Sequence, residues 1–197
     1  MDEAPMPHLA PPGAGLRAPE RLIARILFAL GCRTTDRAGS DARFREQREA
    51  FHRWVAGLAD ASAARRVLIA RPRGLEDGSW YWSVWMTLDH LRIVHHEIAR
   101  IIGGLGKGTV PASQASTAVV KPAAEAGREV VDAYEQSCDV MLAAAAAVPE
   151  LRTSVQFLHP WFWPLDAAGW HQLAAGQMGI HRVQIDRIIA GLGRTVR

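Results

Sequence analysis

Cysteine is scarce in this chain of 197 residues: only Cys32 and Cys138 occur, in no CxxC or zinc-ribbon spacing. So low a count excludes both a disulfide scaffold and a thiolate metal cluster, and reduced thiols are expected. Long apolar runs are missing too. The longest, Val140 to Val148, is far short of the roughly 20 residues a membrane span requires. The opening MDEAPMPHLAPPGAG is acidic at its start and has no apolar core of a leader, so a soluble, cytoplasmic protein without membrane contacts is expected. Charge of one sign is also lacking. The 23 Lys and Arg are interspersed among 20 Asp and Glu, with no basic cluster interleaved with aromatics, so nucleic-acid binding is not expected. No stretch alternates apolar and polar residues as a strand would, which predicts an all-α chain.

What is present is a set of helical periods. With 49% hydrophobic residues the chain can bury one good core and is too short for two ordinary domains. Residues 1–17, rich in Pro, Ala and Gly, read as a disordered arm, and 18–197 as a single helical-bundle domain. The domain is organised around LDAAGWHQLAAGQMGIHRVQIDRIIAG, from Leu165 to Gly191, with Asp166 as N-cap and Gly191 as stop. At about 100° per residue, Trp170, Ala174, Gln177, His181, Ile185 and Ile188 share one arc, with Leu173 and Gln184 at its edges. Gln177 and His181, one turn apart, therefore face the interior. Burying each without a partner would cost about 1 to 3 kcal/mol, so the interior opposite them must hold something polar.

Before it, the chain reads in order. Pro19 opens a short amphipathic helix carrying Leu22, Ile23, Ile26, Leu27 and Leu30, ended by Gly31. Ser40 is a candidate cap for a second helix with Phe44, Phe51, Trp54, Val55 and Leu58 on its apolar face. The next, SWYWSVWMTLDHLRIVHHEIARIIGG, is capped by Asp77 or Ser79 and stopped at Gly103 and Gly104. On it Ser83, Met86, His90, Ile93, Val94, Glu97 and Ile101 point inward, while Arg92, His95, His96 and Arg100 are expected at the surface. Residues 103–121 form a long crossover whose GGLGKGT fails as a phosphate loop, since Ile101 stands where the first glycine belongs and Gly108 replaces the Ser or Thr. Pro122 starts a further helix with Val130, Val131, Tyr134, Cys138, Met141 and Ala145 inward, ended by Pro149. The segment RTSVQFLHPWFWP follows, in which Trp161 and Trp163 beside His159 can roof a pocket. His171 is expected at a rim.

Four long amphipathic helices joined by long crossovers make a four-helix bundle, whose sites are built from inward side chains on facing helices. His90 on one helix and Gln177 with His181 on another fit that plan. The segments WSVWMTLDHLRIVHHEIARII and HPWFWPLDAAGWHQLAAGQMGIHRVQIDRII resemble the second and last helices of DinB-like proteins, the latter in its Trp, His, three residues, His and then Gln-Ile. The resemblance runs from about Phe51 to Ile189. It implies a four-helix bundle of DinB-like type, with a short extra N-terminal helix, and a divalent-metal site for zinc or nickel held by three histidines. In parts of that superfamily such a site serves transferases or isomerases that use a low-molecular-weight thiol such as mycothiol, bacillithiol or glutathione. His90 matches the ligand of the second helix and His181 the second ligand of the last. The first falls on Gln177, a departure, because an amide oxygen is a poor donor for these metals; Glu97 is the possible extra ligand. Two readings stand: a metal-dependent, thiol-using transferase, isomerase or hydrolase acting on a small molecule, or a non-catalytic bundle that binds a small molecule or a partner protein. Bundles of this type often pair, so a homodimer is the oligomeric expectation, although no outward apolar heptad specifies it.

Overall fold

The computed structural model describes residue 9 and residues 15–112 and 114–193. Most of the arm expected over residues 1–17 lies outside the described residues. Six helices follow in chain order: α1 (Ala18–Thr34), α2 (Arg37–Ala56), α3 (Asp60–Ala64), α4 (Val84–Gly106), α5 (Val130–Ala147) and α6 (Ala167–Leu192). The four long ones after α1 make the bundle: α4 packs on α5 and α6, and α2 closes the far side against α6 and α5. Among the described residues no helix is long and apolar enough to cross a membrane.

Short polar side chains cap α2, α4 and α6. Asp166 caps α6 by accepting from Gly169 N at 2.8 Å, as its sequence suggests. The caps of the other two differ from expectation. Asp36 rather than Ser40 caps α2, accepting from Gly39 N at 2.8 Å, because the helical phase begins a turn earlier and Ser40 is drawn inside to bond Gln172. Ser83 caps α4, accepting from Met86 N at 3.1 Å. The residues expected to do so, Asp77 and Ser79, form a 3₁₀ turn before it. At its other end α4 runs through Gly103 and Gly104 to Gly106, and α5 starts only at Val130. Arg37 finishes α5 from another helix: its guanidinium donates to Val148 O at 2.5 Å and to Ala145 O at 2.9 Å, the latter also accepting from Val148 N at 3.4 Å.

Among the described residues strands do occur, against expectation, but only as two antiparallel pairs of two residues each. β1 (Val67–Leu68) pairs with β2 (Tyr81–Trp82), and β3 (Phe157–Leu158) with β4 (Pro164–Leu165). They are clasps in the connections before α4 and α6, and the fold is all-α.

Two corrections concern what faces what. α1 forms where expected, but its aliphatic stripe points outward and it contributes no buried residue. The contacts of α1 are instead made by Arg25, which donates to the carbonyls of Trp161 (2.6 Å) and Phe162 (3.2 Å), and by Phe28, stacked on Phe162 at 4.4 Å. His95 is the second case. Expected at the surface beside His96, it is 0% exposed, while His96 is exposed. α4 lies between α2, α5 and α6, so more than one of its faces is covered: Phe44 of α2 and Tyr134 of α5 flank the His95 ring at 5.0 and 5.8 Å.

Candidate functional site

His90 of α4 and His181 of α6 meet across the helix interface with ring centroids 4.7 Å apart. Trp82 backs both rings, at 5.2 Å from His90 and parallel to His181 at 6.4 Å. Each imidazole is held in one tautomer by its Nδ1. His90 Nδ1–H donates to Val120 O at 2.5 Å, and a carbonyl can only accept. His181 Nδ1–H donates to Gln184 Oε1 at 2.6 Å. The amide of Gln184 is turned that way because its Nε2 donates to Ser79 O at 2.7 Å. Both Nε2 atoms therefore carry lone pairs. Burial, the neighbouring imidazole and the Lys121 charge pull His181 down to about 3, and burial with the Lys121 charge pulls His90 to about 4. Two neutral imidazoles with oriented Nδ1–H groups are what a metal-ligating histidine pair requires.

The pair forms part of the wall of a cavity of about 740 Å³ that also takes in Gln177, Glu97, Glu76, Lys121, His159, Trp161 and Trp170. Gln177 is half-buried on the same helix one turn before His181. Glu97 reaches the cavity as well, but its carboxylate is engaged by Arg100 at 2.6 and 3.0 Å. Among the described residues no three His, Cys, Asp or Glu side chains converge as a metal cluster. Two imidazoles from facing helices thus stand together in the cavity wall, which Gln177 also lines.

Two positioning groups were not legible in the sequence, and a third was legible only in part. The expected flexible crossover is a strap along the cavity, and its Val120 carbonyl orients His90. Glu76, nearly buried, ties the strap down by accepting from Thr117 Oγ1 and Lys121 Nζ, each at 2.9 Å, and from Gly15 N at 3.1 Å. These donors hold the Glu76 carboxyl below its usual range despite burial. Gln184, placed at the edge of the arc, is fully buried. No periodic signal marks Glu76 or Lys121, since neither lies on a helix; the Gln-Ile after the second histidine was the one hint of Gln184.

Of the expected roof, Trp161 and His159 line the cavity, whereas Trp163 turns toward Phe28 of α1 at 6.1 Å. His171 is not a rim residue. It is 1% exposed, 3.0 Å from Asp41 Oδ1 without hydrogen-bond alignment, beside a different cavity of about 570 Å³. Asp41 and the α1–α2 junction cover the flank of α6 on which His171 lies, so the flank is interior.

No family model matches this chain, and no curated protein does. Its structure is similar to that of TT2238, described as a four-helix bundle protein, with a TM-score of 0.53 at 18% identity over 75% of this chain and 95% of that one. At that identity the likeness establishes the fold: this is a four-helix-bundle protein.

Proposed function

We propose that this chain is a DinB-like bundle protein whose His90–His181 cavity binds a small molecule beside a divalent transition metal, zinc or nickel. Its activity on that reading is metal-dependent transfer, isomerisation or hydrolysis, with a low-molecular-weight thiol or water as nucleophile. The observation that carries it is the pair of neutral imidazoles on facing helices, each with Nδ1 committed to an acceptor and both in the cavity wall. His90 and His181 would hold the metal and Gln177 would complete the set weakly. When bound, the metal would supply Lewis acidity that makes a thiol or water nucleophilic near neutral pH. The protein's own part is to fix both tautomers through Val120 and Gln184, and to shield the cavity with Trp161 and His159. Lys121, its ammonium paired with Glu76, holds the strap that carries Val120 against the same wall.

Elemental analysis of protein purified without chelator, followed by calorimetric titration with zinc and nickel, tests the reading. Binding that is lost in both His90→Ala and His181→Ala supports it; a native protein that takes up neither metal ends it. A second reading has its own support. Lys121, bonded to Glu76 and 5.5 Å from the Trp82 ring, places a positive charge that lowers both imidazole pKa values. That charge disfavours a cation and favours an organic anion with an apolar body, held without metal or catalysis. Binding of such anions by chelated protein, abolished by Lys121→Met, distinguishes this case.

A further inference from the structure

We propose that the outward face of α1 is the surface through which two copies of this chain associate. Leu22, Ile23, Ile26, Leu27 and Leu30 are each between 50 and 64% exposed. Their spacing of one, three, one and three residues places them in a single stripe along more than two turns. The inward side of the same helix is the more polar one, carrying Arg21, Ala24, Arg25, Phe28 and Cys32.

α1 cannot roll to bury the stripe, because its present orientation is bolted at both ends and in the middle. Glu20 holds Arg71 Nη2 at 2.5 Å and Gly74 N at 2.8 Å. Arg25 holds two carbonyls, and Phe28 is stacked on Phe162. The stripe must therefore be covered from outside. It presents on the order of 500 Å² of apolar side chain, toward the upper end for a monomer's largest patch and more than half of the ~800 Å² per partner of a stable complex.

The charges name the occupant. From Leu22 to Leu30 the outward face has no ionisable residue, and the exposed Arg17 and Arg33 stand beyond its two ends. A helix lying on an anionic membrane keeps arginines beside its apolar face, reaching for headgroups; Arg25 here is spent on carbonyls within the protein. An acidic or basic partner would find no complement. A neutral, aliphatic stripe matches a second copy of itself, laid antiparallel about a two-fold axis near Ile26 so that the same residues meet on both sides.

Sedimentation equilibrium of the full chain tests this. The expected result is a dimer at micromolar concentration. Ile26→Glu, and separately Leu27→Asp, should raise the dimer dissociation constant about a hundredfold or more, since each buries a carboxylate at the seam. Circular dichroism should stay unchanged, since neither side chain belongs to the core. Val183→Glu, at an aliphatic position on α6 that is 41% exposed, should leave the dimer intact. A native chain monomeric at 100 µM overturns the proposal, as does a dimer that survives both stripe substitutions. So does binding to phosphatidylserine vesicles that Ile26→Glu abolishes.

Discussion

Replacing His95 with leucine should make the protein resist acid. His95 Nδ1–H donates to Ser137 Oγ at 3.0 Å, because that hydroxyl gives its own proton to Tyr134 O at 2.6 Å. Nε2 is left buried without a partner. Burial lowers the imidazole from 6.5 to about 3. The sign follows from the proton balance: the unfolded chain binds a proton below 6.5 and the folded one does not until about 3. Stability from this residue is thus whole above 6.5 and is lost as pH falls through that interval. At about pH 5 the loss is 1.5 units at about 1.36 kcal/mol each, or about 2 kcal/mol. Near pH 7.5 leucine loses one hydrogen bond of about 1 kcal/mol and removes an orphaned nitrogen worth about 1 to 3, so variant and native should differ by no more than about 2 kcal/mol. The difference should then move in the variant's favour by about 2 kcal/mol on going to about pH 5, near 1 M in urea midpoint for a slope of about 2 kcal/mol/M. His90, His159 and His181 are also held low by burial, but they titrate in both proteins and cancel. Equal differences at both pH values, read from urea melts followed by circular dichroism, would refute a neutral, buried His95.

His96→Ala, at an exposed position one residue on, should stay within about 0.5 kcal/mol at either pH in the same melts. Gln177→His should supply a third imidazole and tighten zinc or nickel binding by a large factor in calorimetric titration, and His90→Ala in that background should remove the gain; no tightening means that position 177 does not converge with the pair. Glu76→Ala leaves Lys121, Thr117 and Gly15 without their shared acceptor, and should cost about 2 to 4 kcal/mol and speed amide exchange through 114–121. A Cβ on Gly106 would fall 2.4 Å from Val148 Cγ2, whereas one on Gly103 meets nothing within 4 Å. Gly103→Ala should therefore raise stability by about 0.5 to 1 kcal/mol and Gly106→Ala should lower it, both read from thermal melts.

The residues of the cavity that could be read ahead of the structure are those near the middle of a long helix's apolar arc. On α6, His181 and the N-cap Asp166 follow from the 3.6-residue period and a local hydrogen bond. His90 follows likewise, because the period places it with Val94 and Ile101, which the core buries. Local chemistry was enough there because each helix carries its own phase and its own cap wherever it docks.

The tertiary structure decided everything that depends on what lies opposite. A helical wheel shows which residues share a face, and does not say how many faces are covered. His95 and His171 lie on flanks that α2 and its neighbours close, so both are interior although the wheel sets them outside. The aliphatic stripe of α1 is a clear period, yet Glu20, Arg25 and Phe28 find better partners inside, and the stripe turns outward. Glu76, Lys121 and Val120 stand far apart in the chain from the histidines they serve, in segments without periodicity. Only the closure of the strap over the bundle brings a carbonyl to His90, and nothing in the spacing of residues along a chain encodes that distance.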